Sequence, residues 1–404
     1  MKANRAMPGA GALATLALLW LVGLYLRLPI LVAPPLAPAI GAEFDLSQSE
    51  VGALTTIPVL MLALGALPGA FAIARLGPVL TVAGSLVLLA LASAARGLAP
   101  PAELLLAATA VMGFAIAVMQ PALPVLVMRW CPEALALGSA VYMNGLLAGE
   151  FVGAGLTLPL VVPWLDGSWR AALAFWSLPA LAVALLVGVR GRVTRVNAAE
   201  AVVNGSWTPR WREARVWKFG VILGAASSGF FGTNAYLGSI LAGRGEAHLL
   251  ETTLLLFNAA QVVGSLLMVA IGRWLVGKPA PVLAMAALLP LCLIVGALTS
   301  GAVFVAAIVL VGLTTCVQLI LMVSLVPQIT SEEEAGPLAA GMFTVGYLLG
   351  FVVPLVGGLA ADLTGDAGAA WWPLIGLAAV GAVVALSPGF GHRAAASQHH
   401  SGGP

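Results

Sequence analysis

The sequence predicts an all-α polytopic membrane protein, with twelve transmembrane helices in two six-helix bundles related by pseudo-symmetry. Three observations carry this prediction. Of the 404 residues, 61% are hydrophobic and only 8% charged, against roughly 25% charged in a soluble domain. Apolar runs of about twenty residues or more, long enough to cross a ~30 Å hydrocarbon core as helices, recur along the whole chain. The longest polar break, "RGRVTRVNAAEAVVNGSWTPRWREARVWK", divides these runs six and six.

The first run, 13–40, follows Lys2 and Arg5. It is too long for the apolar region of a signal peptide, so it reads as a retained helix. Arg27 interrupts its middle, with Pro29, Pro34, Pro35 and Pro38 behind it. The second run, 49–74, passes through Arg75 and Gly77 into the third, 76–95. The fourth is 102–128. The fifth, 134–161, contains Glu150, the one carboxylate clearly inside a run, and the sixth, 170–189, closes the first half. The second half comprises 217–242, 249–276, 280–299, 302–327, 336–362 and 370–390. Residues 1–189 therefore form the expected N-terminal bundle, 190–216 a basic cytoplasmic linker and 217–390 the C-terminal bundle. The tail 391–404, ending "SQHHSGGP", reads as disorder. "MNGLLAGEFVG" in the fifth run resembles "TVGYLLGFVVP" in the eleventh, and Gly77 has a counterpart in Gly277, so the halves read as distant copies.

With both termini cytoplasmic, every Lys and Arg lies inside except Arg96, Arg170 and Arg244 outside and Arg27 in the membrane, as the positive-inside rule requires. A net charge of +2 gives no basis for nucleic-acid binding. Cys131, Cys292 and Cys316 have no paired spacing, so neither a disulfide framework nor a metal site is expected. No phosphate-binding glycine loop followed by Lys-Ser or Lys-Thr appears, which excludes a nucleotide-driven pump. Hydrolytic chemistry would need a His, Cys or Asp cluster at membrane depth. His248 falls in an outer loop and His392, His399 and His400 in the tail, so no enzyme and no cofactor is expected.

Arg27 lies about fourteen residues into its helix, or ~21 Å, close to the bilayer centre. An arginine there costs about 2.5–3.5 kcal/mol even on mild insertion scales, so it must face a partner or a cavity. Pro29, Pro34 and Pro35 each lack an amide donor and loosen the carbonyls of Tyr25, Ile30 and Leu31, which suggests a bendable gate helix. Gly23, on the same face, is expected to leave room for a long side chain or ligand. Glu150 comes out at ~24 Å, within a turn of the same depth. Two readings stay open. In one, Arg27 and Glu150 form a permanent pair that offsets the cost of both; in the other, Arg27 binds an anion and Glu150 takes up a proton as the pair opens. A second, uncharged set comprises Gln120, Ser227, Asn234, Asn258, Gln261, Thr314, Thr315, Gln318 and Tyr347. Each alone reads as an interhelical hydrogen bond, and together they suggest a small polar site.

Several segments resemble the cyanate and nitroimidazole transporter (CynX/NimT) branch of the major facilitator superfamily. "YLRLP" at 25–29 is similar to the Asn-Leu-Arg-Pro signature of that family's first helix. "QPALPVLVMRWCPE" at 120–133, "SWRAALAFW" at 168–176 and "GYLLGFVVPLVGGLAADLTG" at 346–365 resemble segments of its fourth, sixth and eleventh helices. Departures occur at Ala74, where the superfamily's acidic loop residue is missing, at Tyr25 in place of Asn, and at Phe343 in place of a glutamine. They bear on the substrate rather than the fold. The resemblance implies the major facilitator fold, with helices one, four, seven and ten lining the solute path. It implies a monomer in a bacterial inner membrane that moves a small polar solute by alternating access, with proton coupling left to the open reading of Glu150. The expected solute is an anion of the cyanate or small-carboxylate kind, with export of nitroimidazole-like or other drug-like compounds as the alternative.

Overall fold

A computed structural model of the chain describes residues 10–98, 101–132, 134–193, 211–275, 278–329 and 332–387, and among them there is no strand. Each of the twelve predicted runs coincides with helix. The first is broken into α1 (Ala10–Leu24), α2 (Leu28–Leu31) and α3 (Ala33–Phe44). α4 (Gln48–Leu64) and α5 (Ala66–Leu98) follow. α5 contains a sharp break at Gly77, whose φ of 76° and ψ of 162° suit glycine alone, and which divides the second run from the third. The fourth run is α6 (Ala102–Met119) and α7 (Ala122–Trp130), parted by Gln120 and Pro121. The fifth is α8 (Leu135–Leu156), a π-turn at Thr157–Val161 and the short α9 (Val162–Trp164). The sixth is α10 (Trp169–Val193).

α11 (Ala214–Gly243), α12 (Leu250–Leu275), α13 (Pro279–Leu298), α14 (Gly301–Ile329), α15 (Glu332–Thr364) and α16 (Trp371–Leu386) complete the set. Among the described residues, ten helices are long and apolar enough to cross a membrane, and Gln48–Leu64 is a shorter apolar helix. α11 stands apart because it is buried along nearly its whole length. A helix shielded by protein can carry Ser227, Ser228, Thr233 and Asn234 that lipid would not tolerate.

The distribution of residues is that of a protein in lipid. Leu91, Leu185, Leu266, Leu310 and Val383 are exposed, while Asn234, Asn258, Gln261 and Gln318 are buried. Burying polar groups inside and leaving leucines outside is favourable only in an apolar solvent. Two compact units result. The first joins Met1–Ala33 to Leu64–Val203, the second Pro34–Ala63 to Asn204–Pro404. Residues 34–63, expected in the first bundle, thus group with the second. Of the expected linker, 190–193 complete α10, and 194–210 lie outside the described residues, as does the tail 391–404.

In the second unit the start of α4 is held by carboxylates at both reach and register. Ser47 and Glu50 form a reciprocal capping box, with Ser47 N donating to Glu50 Oε2 at 2.9 Å and Glu50 N to Ser47 Oγ at 3.3 Å. Asp362, near the end of α15, accepts from Gln48 N at 2.6 Å, Ser49 N at 3.1 Å and Ser49 Oγ at 2.6 Å. Tyr236 of α11 donates to Pro354 O at 2.8 Å.

Candidate functional site

The break in the first run lies at Tyr25, Leu26 and Arg27, just ahead of the prolines. Leu26 N and Arg27 N bond back only three residues, to Gly23 O and Leu24 O, and Ile30 N turns to Arg27 O at 3.0 Å. The carbonyl of Leu26 is thereby left without its regular helical partner. Arg27, at φ −131° and ψ −34°, caps α2 and donates from Nη1 to Leu26 O at 3.3 Å. Pro29 sits in the first turn of α2, and Pro34 and Pro35 in the first turn of α3. A proline there loses nothing, since first-turn amides have no helical acceptor. Pro29, Pro34 and Pro35 therefore begin helices rather than bend a continuous one, while Pro38 lies inside α3.

Arg27 Nε lies 3.3 Å from Glu150 Oε1, with both side chains almost wholly buried. Small residues make this approach possible. Gly145, Gly149 and Gly153 recur every four residues along one face of α8, and a β-carbon on them would run into the carbonyls of Trp20, Leu24 and Leu28 respectively. Backbone-to-backbone contact of this kind is how small residues pack helices in membranes. The space expected at Gly23 is likewise taken, by the backbone of Tyr142. Hydrogen bonds flank the break on both sides: Trp20 Nε1 donates to Asn144 Oδ1 at 3.0 Å, and the Tyr25 hydroxyl to Trp176 O at 3.2 Å.

Arg96 corrects the sequence expectation most sharply. Expected outside the membrane, it lies in the last turn of α5 with 0% exposure, covered by protein. Its Nη1 donates to Pro29 O at 2.9 Å and approaches Met112 Sδ at 3.2 Å. The signal lay in the spacing: Val82, Leu86, Leu89 and Ser93 precede it at helical intervals and are all buried. Arg96 continues that face. Two guanidinium groups thus reach the same broken segment, at carbonyls three residues apart, or on the order of one helical turn (~5 Å).

The uncharged set divides by unit. Gln120, in the first, caps the C-terminus of α6, and its Oε1 is buried with no hydrogen-bond partner. In the second unit Asn258 Nδ2 donates to Asn234 Oδ1 at 3.1 Å, Gln261 Nε2 to Thr315 Oγ1 at 3.3 Å, and Gln318 Nε2 to Ile222 O at 2.9 Å. These bonds tie α11, α12 and α14 together. Asn258 Oδ1 and Gln318 Oε1 remain without hydrogen-bond partners. Tyr347 stacks on Phe343, ring centroids 5.8 Å apart. Ser227 is buried, and Thr314 bonds its own helix at Leu310 O. Among the described residues no group of His, Cys, Asp or Glu could hold a metal ion.

Known proteins share both the sequence and the architecture. The chain is 27% identical over 360 residues to the cyanate transport protein CynX of Escherichia coli (strain K12), covering 87% of this chain and 91% of that protein. It is 27% identical over 247 residues to the 2-nitroimidazole transporter of the same organism, covering 61% of this chain and 62% of that one. Among solved structures, a D-xylose-proton symporter superposes with a TM-score of 0.73 at 12% identity, over 93% of this chain and 97% of that one, a likeness of fold alone. The family model for the Major Facilitator Superfamily matches residues 13–336. With ten membrane-length apolar helices among its described residues and a family match over most of its length, the chain belongs to the Major Facilitator Superfamily and is a multi-pass membrane transporter.

Proposed function

We propose that the chain is a secondary transporter of a small anion, and the observation that carries this is the buried Arg27–Glu150 pair at a helix break. A guanidinium at membrane depth is costly, and packing alone would be served as well by apolar residues of similar volume. A charge kept there has a use when an anion can replace Glu150 as its partner. The relation to a cyanate transport protein over 91% of that protein supports an anionic solute. Glu150, displaced from Arg27 inside an apolar environment, is driven to take a proton, which would couple anion movement to the proton gradient. The weakly bonded backbone at Tyr25–Arg27 lets the segment move as Arg27 changes partner, with Pro29, Pro34 and Pro35 starting the helices that move. Gln120 in the first unit, and Asn234, Asn258, Gln261, Gln318 and Tyr347 in the second, are each candidates to orient polar parts of the solute. The membrane is the bacterial inner membrane, with both termini cytoplasmic and the chain acting as a monomer.

Counterflow of labelled cyanate in proteoliposomes tests this. Arg27→Lys keeps the charge but loses the planar fork, and loss of one charge-assisted hydrogen bond predicts a decrease of about tenfold or more. Glu150→Gln should preserve exchange while abolishing the response to an imposed pH gradient. Unchanged cyanate counterflow in Arg27→Lys would overturn the reading. A second reading, transport of a planar nitro-heterocycle, is favoured by the stacked Phe343 and Tyr347 rings. Movement of 2-nitroimidazole that survives Arg27→Lys would select it.

A further inference from the structure

Arg96 carries a recognition edge that the described chain leaves empty-handed. A guanidinium offers a planar anion two parallel donors along its side, Nε and Nη2, and these match the two oxygens of a carboxylate. In Arg96 the bonds to Pro29 O and Met112 Sδ both come from Nη1. Nε and Nη2 are buried and have no hydrogen-bond partner. Buried polar groups are rarely left so, and a charged one least of all. The group is also out of electrical balance. Among the described residues the buried charged side chains are Arg27, Arg96 and Glu150, and Glu150 is engaged with Arg27. One positive charge is in excess, and Arg96 carries it two residues along the chain from Arg27, at Pro29.

We propose that the Nε and Nη2 edge of Arg96 receives a planar two-oxygen group of the solute, a carboxylate or a group of the same shape. A linear anion such as cyanate ends in a single atom and cannot engage both parallel donors. A carboxylate can, and it brings the negative charge the site lacks. The side chain is fully buried, with α2 and α6 against its Nη1, so solute would reach the edge when the segment at Tyr25–Arg27 moves. Because Nη1 holds Pro29 O, the guanidinium that grips the solute also grips that segment. This inference rests on the transport reading, and it narrows the small anion to one that carries a planar two-oxygen group.

Thermal melts of the purified full chain test it, with sodium acetate and benzoate compared against sodium cyanate and thiocyanate at equal ionic strength. Acetate and benzoate should raise the melting temperature more than the linear anions do, and theirs is the shift that depends on Arg96. Arg96→Lys keeps the charge and can still reach Pro29 O but has no fork, so it should abolish the carboxylate shift. Equal protection by linear anions, or a carboxylate shift retained in Arg96→Lys, would overturn the proposal. If Arg96→Lys does not fold, the unsubstituted chain with nitrogen-15 arginine decides. A buried Nε–H that moves downfield with acetate, and still does so in Arg27→Gln, supports the site; no such movement overturns it. Carboxylate protection that depends on Arg96, without counterflow of any anion, would sink the transport reading and keep this site. Cyanate counterflow indifferent to Arg96→Lys, with no carboxylate protection, would do the reverse.

Discussion

The Leu26 carbonyl and the Glu150 carboxylate both hold Arg27, and their removal has different consequences. The Leu26 carbonyl belongs to the backbone and cannot be mutated away, whereas Glu150 can. Glu150→Ala leaves a buried charge without its counter-charge, an arrangement that costs about 3–5 kcal/mol. Melts in detergent should show a loss of that size, and the double substitution Arg27→Leu with Glu150→Leu should recover most of it. A double variant no more stable than the single would mean that the pair is not coupled. Counting residues from the end of a run finds Arg27 and Glu150, because each sits deep within a single uninterrupted apolar stretch. Arg96 escapes that count. It lies at the end of its stretch, where a long basic side chain has two destinations, the headgroups or the interior, and hydropathy is the same for both. Only the buried face it shares with Leu89 and Ser93 decides between them.

At the scale of elements, the glycine row of α8 does more than let two helices touch. It sets the distance at which Glu150 meets Arg27, because the chain of α1 and α2 lies directly against Gly149 and Gly153. Gly149→Val should push the break away, destabilise the fold by about 1–3 kcal/mol as overpacking does, and lower cyanate counterflow along with it. A stable Gly149→Val protein with unchanged counterflow would show that the separation of these helices is immaterial. The row is legible in "GLLAGEFVG", yet the sequence cannot say which helix lies against it. Gly23 shows the limit, since its vacant face is occupied by the Tyr142 backbone and not by a ligand. α11 shows the opposite case. Its polar residues weaken its hydropathy, but its length and the loops on either side still mark it as a span.

Over the whole molecule, the spans were readable because a chain in lipid must satisfy its backbone internally, and most of its helices present an apolar surface. Which spans share a compact unit is not written in hydropathy. Residues 34–63 group with the second unit, and one visible reason is Asp362, which accepts three bonds at the start of α4 from a position 314 residues away. A carboxylate at a helix N-terminus is favourable both as an acceptor and for the helix dipole. Asp362→Ala should therefore weaken this attachment by about 0.5–2 kcal/mol. The amides of Gln48 and Ser49 should then exchange with deuterium faster, and unaltered exchange would show that the attachment lies elsewhere.

The broken first span also bears on how the chain is made. Helices leave the ribosome in order, so Arg27 reaches the membrane four spans before Glu150 exists to meet it. The acceptor that the break frees, the Leu26 carbonyl, belongs to Arg27's own span and needs no later helix to supply it. An unbroken helix would offer the nascent arginine no such oxygen. The irregularity that looks like a defect in the finished protein gives its most awkward residue an acceptor within its own span.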